Sequence, residues 1–331
     1  MADIRIGVSP KKIRELFDPE KSVIVTDGNV DNLYSEYFEG FKKIVLVPGE
    51  ENKNLKNIEL IYEKFLGFEI DRDFTIIGVG GGVVCDMTGF AASTYLRGIK
   101  YGFFPTTLLA QVDASIGGKN GVDFKGYKNI VGTFNFPEFI YIDISLLQSL
   151  NPPEFINGVA EVLKYGFIRD KTFLDEVVEN REKLFLIDEI FLKRVVERSI
   201  EIKNEIVDSD KRENGIRRNL NFGHTFGHAY EKIGGIPHGQ AVAAGMVVAS
   251  KISEIMGYIS KGDRIKIEKI VSEFKLPVKI DIPARDVFYA INKDKKRESD
   301  NIRFVFLNKI GSSFVKSISL SKLGEMADAV C

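Results

Sequence analysis

Cysteine is nearly missing: 331 residues contain two, Cys85 and Cys331. That is too few for a disulfide framework and fits a reducing compartment. An excess of charge is missing too. Lys and Arg number 46 against 47 Asp and Glu, for a formal net charge of −1. Nothing in that balance points to a nucleic-acid or membrane partner. No stretch approaches the roughly 18 apolar residues that suggest a membrane span. The opening M-A-D-I-R-I-G-V-S-P-K-K lacks the apolar core of a secretion signal. The expectation is a cytoplasmic chain. Histidine is the scarce residue that informs most. All three, His224, His228 and His238, fall within fifteen residues. Neutral imidazole ligates metals and moves protons near neutral pH, so three placed together point to one site. His224 and His228, four apart, share a face if helical. His238 follows a Gly-Gly-Ile-Pro turn that can fold it back toward them.

What is present is ordinary globular material, 44% hydrophobic and 28% charged. The length suggests about two domains. In the first half, β-rich runs at 23–26, 44–47, 74–79, 101–104 and 139–142 alternate with helical spacing at 30–39, 54–66 and 83–96. Such alternation predicts a Rossmann-like α/β domain with a parallel sheet over residues 1–150. From Pro152-Pro153 helical spacing takes over, at 154–166, 172–180, 189–208, 222–233, 240–256, 262–274 and 285–292. One late hairpin is expected, of 302–307 with 313–318. Residues 151–331 are thus expected to form a mainly α-helical domain. A ligand site between two such domains is the usual expectation.

Ile76-Ile77-Gly78-Val79-Gly80-Gly81-Gly82 reads as a strand entering a glycine cluster ahead of a helix. Bare backbone and a helix N-terminus suit a pyrophosphate. A tight structural turn is the plainer alternative, because Val83 stands where the dinucleotide fingerprint has its third glycine. Asp27, ending an earlier strand, is a candidate ribose partner. Glycine pairs beside Lys119 and the Lys128-Asn129 pair suggest a loop laid against a ligand, or a solvated surface hairpin. Glu161 and Lys164 share a helical face, as a simple ion pair or as a metal ligand and an anion-binding amine. A His₂-carboxylate set is one pattern of a catalytic divalent site. Within the histidine window only Glu231 offers a carboxylate, so a more remote acid is needed. Arg217, Asn221, His224 and His228 would face one way if one helix carried them all.

With these segments in view, the chain resembles the 3-dehydroquinate synthase family. The matching motifs are G-G-G-V-V-x-D at 80–86, Y-L-R-G at 95–98, P-T-T-L-L-A-Q-V-D at 105–113, and G-G-K-N-G-V at 117–122. The series continues with Lys128-Asn129, G-V-A-E-V-L-K-Y-G at 158–166, R-R-N-L-N-F-G-H-T-F-G-H-A-Y-E at 217–231, H-G at 238–239 and D-K-K at 294–296. They follow family order over about residues 27–310.

The resemblance implies a dehydroquinate synthase-like fold, with an NAD-binding domain followed by a metal- and substrate-binding domain. It implies Glu161, His224 and His238 as ligands of one divalent metal, zinc or cobalt. Asp27, Asn29, Glu50, Lys53, Gly81, Gly82, Asp86, Thr106 and Thr107, joined by Lys119 and Lys128, are implied as NAD contacts. Catalytic roles fall to His228, Lys119, Lys164, Lys203, Arg217 and Asn221. Asp113, Lys128, Asn129 and one lysine of the 295–296 pair, taken as Lys295, are implied as substrate contacts. Arg97 is implied as a phosphate-binding residue reaching the partner's site in a homodimer. The reaction implied turns 3-deoxy-D-arabino-heptulosonate 7-phosphate into 3-dehydroquinate and phosphate, in the shikimate pathway of aromatic amino-acid and chorismate biosynthesis. Transient NAD-dependent oxidation, β-elimination of phosphate, re-reduction and an intramolecular aldol closure make up the sequence. Departures are mild: Cys85 stands where glycine is common, Ala114 where serine is, and Ser149 where threonine is. The loop between His228 and His238 looks short. A polyol dehydrogenase of the same fold and another sugar phosphate cyclase are the rival enzymes, and a non-catalytic metal- or nucleotide-binding protein the rival of another class.

Overall fold

The structure is a computed structural model that describes residues 2–295 and 300–330. The chain divides into two compact units. One runs to Asn151 and includes Leu192–Ile200. The other holds Pro152–Phe191 and the residues from Glu201 onward.

The first unit begins with β1 (Asp3–Ile6), the short helix α1 (Ile13–Leu16), β2 (Ser22–Asp27), α2 (Gly28–Tyr34) and β3 (Lys42–Leu46). Next come α3 (Leu55–Gly67), β4 (Thr75–Gly80), α4 (Gly82–Thr94), β5 (Lys100–Pro105), the hairpin β6 (Lys119–Phe124) and β7 (Tyr127–Phe134), and β8 (Phe139–Ile142). Six strands form a parallel sheet in the order β1-β8-β5-β4-β2-β3. Its central strands are apolar runs buried on both faces, as a sheet covered by helices requires. Ile24, Ile77, Val79, Phe104, Phe139 and Tyr141 join Ile13 and Phe38 in one core cluster. The chain leaves β2 for β3 on one side, while β4 leads to β5 on the other. The sheet order therefore reverses between β2 and β4, where open α/β sheets hold their ligands.

The second unit contains α5 (Pro152–Ile168), α6 (Lys171–Glu179), α7 (Arg181–Phe185), the two ends of α8 (Glu189–Ser209) outside Leu192–Ile200, and α9 (His224–Gly234). It continues through α10 (His238–Ile255), α11 (Lys261–Glu273), α12 (Ala284–Lys295), the hairpin β9 (Asn301–Lys309) and β10 (Ser312–Ser319), and α13 (Leu320–Val330). The apolar helix α10 is its axis. It packs against α5, α9, α11 and β9, and thirteen of its eighteen residues are buried, most of them Ala, Val or Gly. Among the described residues no helix is long and apolar enough to cross a membrane.

One sequence expectation changes, one strand is added, and one alternative is decided. The strand β1 is half exposed and carries Asp3 and Arg5, so its local pattern is weak. Parallel pairing with β8 supplies its reason to be a strand. The window 30–39 splits into α2 and a 3₁₀ turn, Ser35–Phe38. The segment around Lys119 and Lys128 is a true hairpin, with Lys119 opposite Phe134. Its root is tied down by buried polar groups. Asn120 donates to the Tyr101 hydroxyl at 3.1 Å and to Asn135 O at 3.0 Å. Asn135 in turn donates to Ser93 Oγ at 2.9 Å. Cys85, the departure beside the glycine turn, is buried against Gly80 O, and burial pushes its thiol far up. A side chain is thus accommodated there. Cys331 lies outside the described residues.

Asn120 reaches its partners because Gly89 of α4 has no side chain: a Cβ there would lie 1.9 Å from Asn120 Oδ1. Gly89→Ala is expected to destabilise the protein by about 1–3 kcal/mol, read as a lower urea midpoint. An unchanged midpoint would show that the hairpin root is not rigid.

Candidate active site

In the first unit the nucleotide candidates collect at the carboxyl ends of four adjacent strands. Asp27 ends β2 and caps α2, its Oδ1 accepting the backbone N–H of Asn29 at 2.8 Å and Val30 at 3.1 Å. Glu50 and Lys53 follow β3, Gly81 and Gly82 follow β4, and Thr106 and Thr107 follow β5. Gly81 caps α4 with no side-chain hydrogen bond and no acid in the first turn, a helix N-terminus of the kind that suits a phosphate. A Cβ on Gly81 would sit 3.0 Å from Thr107 Cγ2. To admit a side chain there, Thr107 would have to give by a few tenths of an ångström. Thr106 N donates to Gly80 O at 2.9 Å, tying the two strand ends together.

Lys53 is 4% exposed and pairs with Asp86 of α4 and, at 3.9 Å, with Glu50. Burial opposes its charge, but Asp86 and Glu50 outweigh burial and hold the ammonium above its ordinary value. Lys128 also reaches Glu50, at 3.7 Å. Asp123 was not singled out by sequence. Its Oδ1 accepts from Asn129 N at 2.8 Å and its own N–H bonds Lys53 O at 2.8 Å, so it stitches the hairpin to the Lys53 segment. Burial raises its carboxyl despite the Asn129 bond. Lys119, Lys128 and Asn129 are exposed on the hairpin, while Asp113 is half-buried in a single π-helical turn, Ala110–Ala114, a rare form frequent at functional sites. Leu96, Arg97 and Gly98 have consecutive positive φ values of 49°, 66° and 116°. Left-handed non-glycine residues cost of order 1–3 kcal/mol each. Arg72 donates to Leu96 O at 3.0 Å and helps hold this turn, which presents Arg97 exposed.

In the second unit Glu161, His224 and His238 come together, with one ligand atom from each lying within 4.8 Å of the others. Glu161 is fully buried on α5, and each histidine opens a helix, His224 on α9 and His238 on α10. Two close approaches place them. Gly239 needs no Cβ because the Asn157 carbonyl of α5 would lie 2.2 Å from it, and Asn157 Oδ1 accepts the Gly239 N–H at 3.1 Å. Gly223, at φ 83°, lies against Val242 and Met246 of α10. Both Nε2 atoms turn to Glu161 Oε1, at 3.8 Å from His224 and 3.6 Å from His238. Both Nδ1 atoms meet acceptors: Phe222 O at 3.2 Å and Glu231 Oε1 at 2.7 Å. An Nδ1 beside an acceptor carries a proton, so whenever these rings are neutral their Nε2 lone pairs lie on the Glu161 side.

Taken as protein groups alone, the cluster is under electrostatic stress. Burial and the Lys164 ammonium pull His224 down to about 3. Burial acts alike on His238, but hydrogen bonds to Glu161 and Glu231 override it and carry that ring up to about 10. Two imidazoles and one carboxylate oxygen are a donor set that suits zinc or cobalt. The residues fit a divalent ion.

Lys164, beside Glu161 and paired with it, is 1% exposed, Lys203 on α8 is 5% and Arg217 is 2%. The single-helix expectation for Arg217, Asn221, His224 and His228 fails. Ile216–Asn221 is a 3₁₀ turn, and Gly223 in the left-handed region separates it from α9. Asp210, unremarked in the sequence, organises that loop instead. It accepts the backbone N–H of Asn214 at 3.0 Å, Gly215 at 2.6 Å and Arg217 at 3.1 Å, and these bonds outweigh burial to lower its carboxyl. Arg217 donates to Lys211 O at 2.8 Å and Asn221 to Glu213. His228 is exposed, its ring centroid 5.3 Å from that of His224. Lys295 ends α12 and Lys296 lies outside the described residues.

Sequence and structure comparisons show which proteins the chain is similar to. Residues 43–157 match the family described as 3-dehydroquinate synthase N-terminal, and residues 158–297 match 3-dehydroquinate synthase C-terminal. The 3-dehydroquinate synthase of Thermodesulfovibrio yellowstonii is 42% identical over 314 residues, covering 93% of this chain and 87% of the relative. That of Ruminiclostridium cellulolyticum is 39% identical over 316 residues, covering 92% and 88%. A solved 2-epi-5-epi-valiolone synthase from Streptomyces hygroscopicus subsp. jinggangensis, with NAD+ and Zn2+ bound, superposes with a TM-score of 0.91 at 24% identity, covering 99% of this chain and 96% of that one. An iron-containing alcohol dehydrogenase reaches 0.66 at 16% identity, covering 100% and 98%; both likenesses concern the fold. On the family matches and the identity to its relatives, the chain belongs to the 3-dehydroquinate synthase family.

Proposed function

We propose that the protein converts 3-deoxy-D-arabino-heptulosonate 7-phosphate to 3-dehydroquinate and phosphate, as a carbon–oxygen lyase of aromatic biosynthesis. One observation carries the choice over a polyol dehydrogenase. The unit that carries the His₂-carboxylate cluster also buries three cationic side chains of this near-neutral chain, Lys164, Lys203 and Arg217. Lys164 already pairs with Glu161 within the protein, and Arg217 donates to Lys211 O. A substrate with a phosphate and a carboxylate adds anions that cationic donors bind through charge-assisted hydrogen bonds, whereas a simple polyol offers none.

On this reading residues 1–150 hold NAD and residues 151–331 hold the metal and most of the substrate. When bound, NAD supplies a reversible hydride acceptor and the divalent metal a Lewis acid for a substrate hydroxyl. Asp27, Asn29, Glu50, Lys53, Asp86 and the Gly81–Gly82 turn orient the nucleotide, with Thr106 and Thr107. Glu161, His224 and His238 hold the metal. Lys164, Lys203, Arg217 and Asn221 bind the anionic groups of the substrate, with Asp113, Lys119, Lys128, Asn129 and Lys295 around it. The exposed ring of His228 holds and moves the proton. We further propose a cytoplasmic homodimer in which Arg97, held outward by its strained turn, serves the partner's site.

The protein incubated with the heptulosonate phosphate, NAD and a divalent metal should release phosphate and dehydroquinate in equal amounts with no net NADH. Net NADH from a simple polyol would overturn the assignment. Metal analysis should find about one equivalent retained in His228→Ala and lost in His224→Ala and His238→Ala, since removing one of three ligands breaks the site. His228→Ala should slow phosphate release by about 10²–10⁴-fold; turnover unchanged with metal bound would remove the proton role.

A further inference from the structure

Glu231 is a buried carboxylate that the proposed chemistry leaves unused. It lies on α9, seven residues beyond His224, with its side chain 1% exposed. It is the one carboxylate inside the histidine window, while the metal cluster takes its acid from outside that window, Glu161. Glu231 stands on the other side of His238, 2.7 Å from Nδ1, while Nε2 of the same ring faces Glu161 Oε1 at 3.6 Å. The other histidine is held differently. His224 Nδ1 meets a backbone carbonyl, Phe222 O, at 3.2 Å, an acceptor fixed by the chain itself. His238 has no such backbone acceptor in its Nδ1 contact, and the residue before it is Pro237, which caps α10 without a side-chain bond.

We propose that Glu231 is a positioning residue of the metal centre: it accepts the Nδ1–H of His238 and fixes that ring with its Nε2 lone pair turned toward Glu161 and His224. The proposal rests on the metal reading of the Glu161–His224–His238 cluster. The physical reason is general. A carboxylate behind a ligating imidazole sets its tautomer and orientation and strengthens it as a donor. A carboxylate does this more strongly than the neutral carbonyl behind His224, because a charged acceptor makes the stronger hydrogen bond. His238 is therefore the tuned ligand of the pair, and His224 the one placed by backbone geometry.

The test compares the full-length protein with Glu231→Gln and Glu231→Ala, each stripped of metal and titrated with zinc against a chromophoric chelator. Cobalt(II) visible spectra of the same proteins report ligand geometry. Glu231→Gln, which keeps an acceptor of the same shape, should weaken zinc binding by about 10-fold, and Glu231→Ala by up to about 100-fold. Cobalt spectra should shift in both. A role in packing alone would lower the melting temperature of the metal-free variants and leave zinc affinity and the cobalt spectrum as in the parent; that result overturns the proposal. If Glu231→Ala does not fold, Glu231→Gln decides. Should the parent bind no metal, or His224→Ala bind it equally well, the metal reading itself falls and this proposal with it. A parent that binds one metal beside indifferent Glu231 variants removes only the role of Glu231.

Discussion

A carboxylate without access to water has to be answered by nearby donors or cations. Glu161 is such a group, and the second unit is arranged around it. Lys164 pairs with it from the next turn of the same helix. The Nε2 atoms of His224 and His238 face its Oε1 from two other helices. Those helices can come so close only where side chains are missing, at Gly239 against Asn157 and at Gly223 against Met246. Helix packing and donor geometry are thus one constraint. A bulkier residue at either glycine would move a histidine as well as open the core.

The first unit answers a different constraint. A parallel sheet covered by helices has buried faces, so polar work moves to the strand ends. Asp27, Lys53, Gly81 and Thr107 come from four different strands and meet there because those strands are neighbours in the sheet. The glycine turn stays bare, while Lys53 keeps its charge under burial through Asp86 and Glu50. Asp123 and Asn120 belong to the supporting layer. One ties the hairpin to the Lys53 segment, the other ties its root to Tyr101 and Asn135.

Much of this was legible in the chain. Alternating strand and helix patterns marked the parallel sheet, because strands such as Phe139–Ile142 are apolar throughout. The histidine window marked a site, because three scarce histidines rarely collect without cause. The supporting residues were not legible. Glu231, Asp210 and Asp123 are acids among many acids, and their roles come from what they bond rather than from their spacing. The predicted shared face of Arg217 and His224 failed for a local reason: Gly223 takes a left-handed conformation that ends one turn before the next helix begins.

Sequence by itself determined the composition of the site. The chemical types, the glycine turn after a strand, and the order of motifs along the chain are all properties of the one-dimensional string. It also determined the alternation of elements, since hydrophobic period is a local quantity. Tertiary structure decided which nitrogen of each histidine faces Glu161, which acceptor lies behind it, and that α10 meets α5 at Gly239 and the start of α9 at Gly223. It decided these because residue 161 is far from 224 and 238 in the chain, and the two histidines open different helices. Their approach depends on the packing of whole helices, which no local pattern encodes.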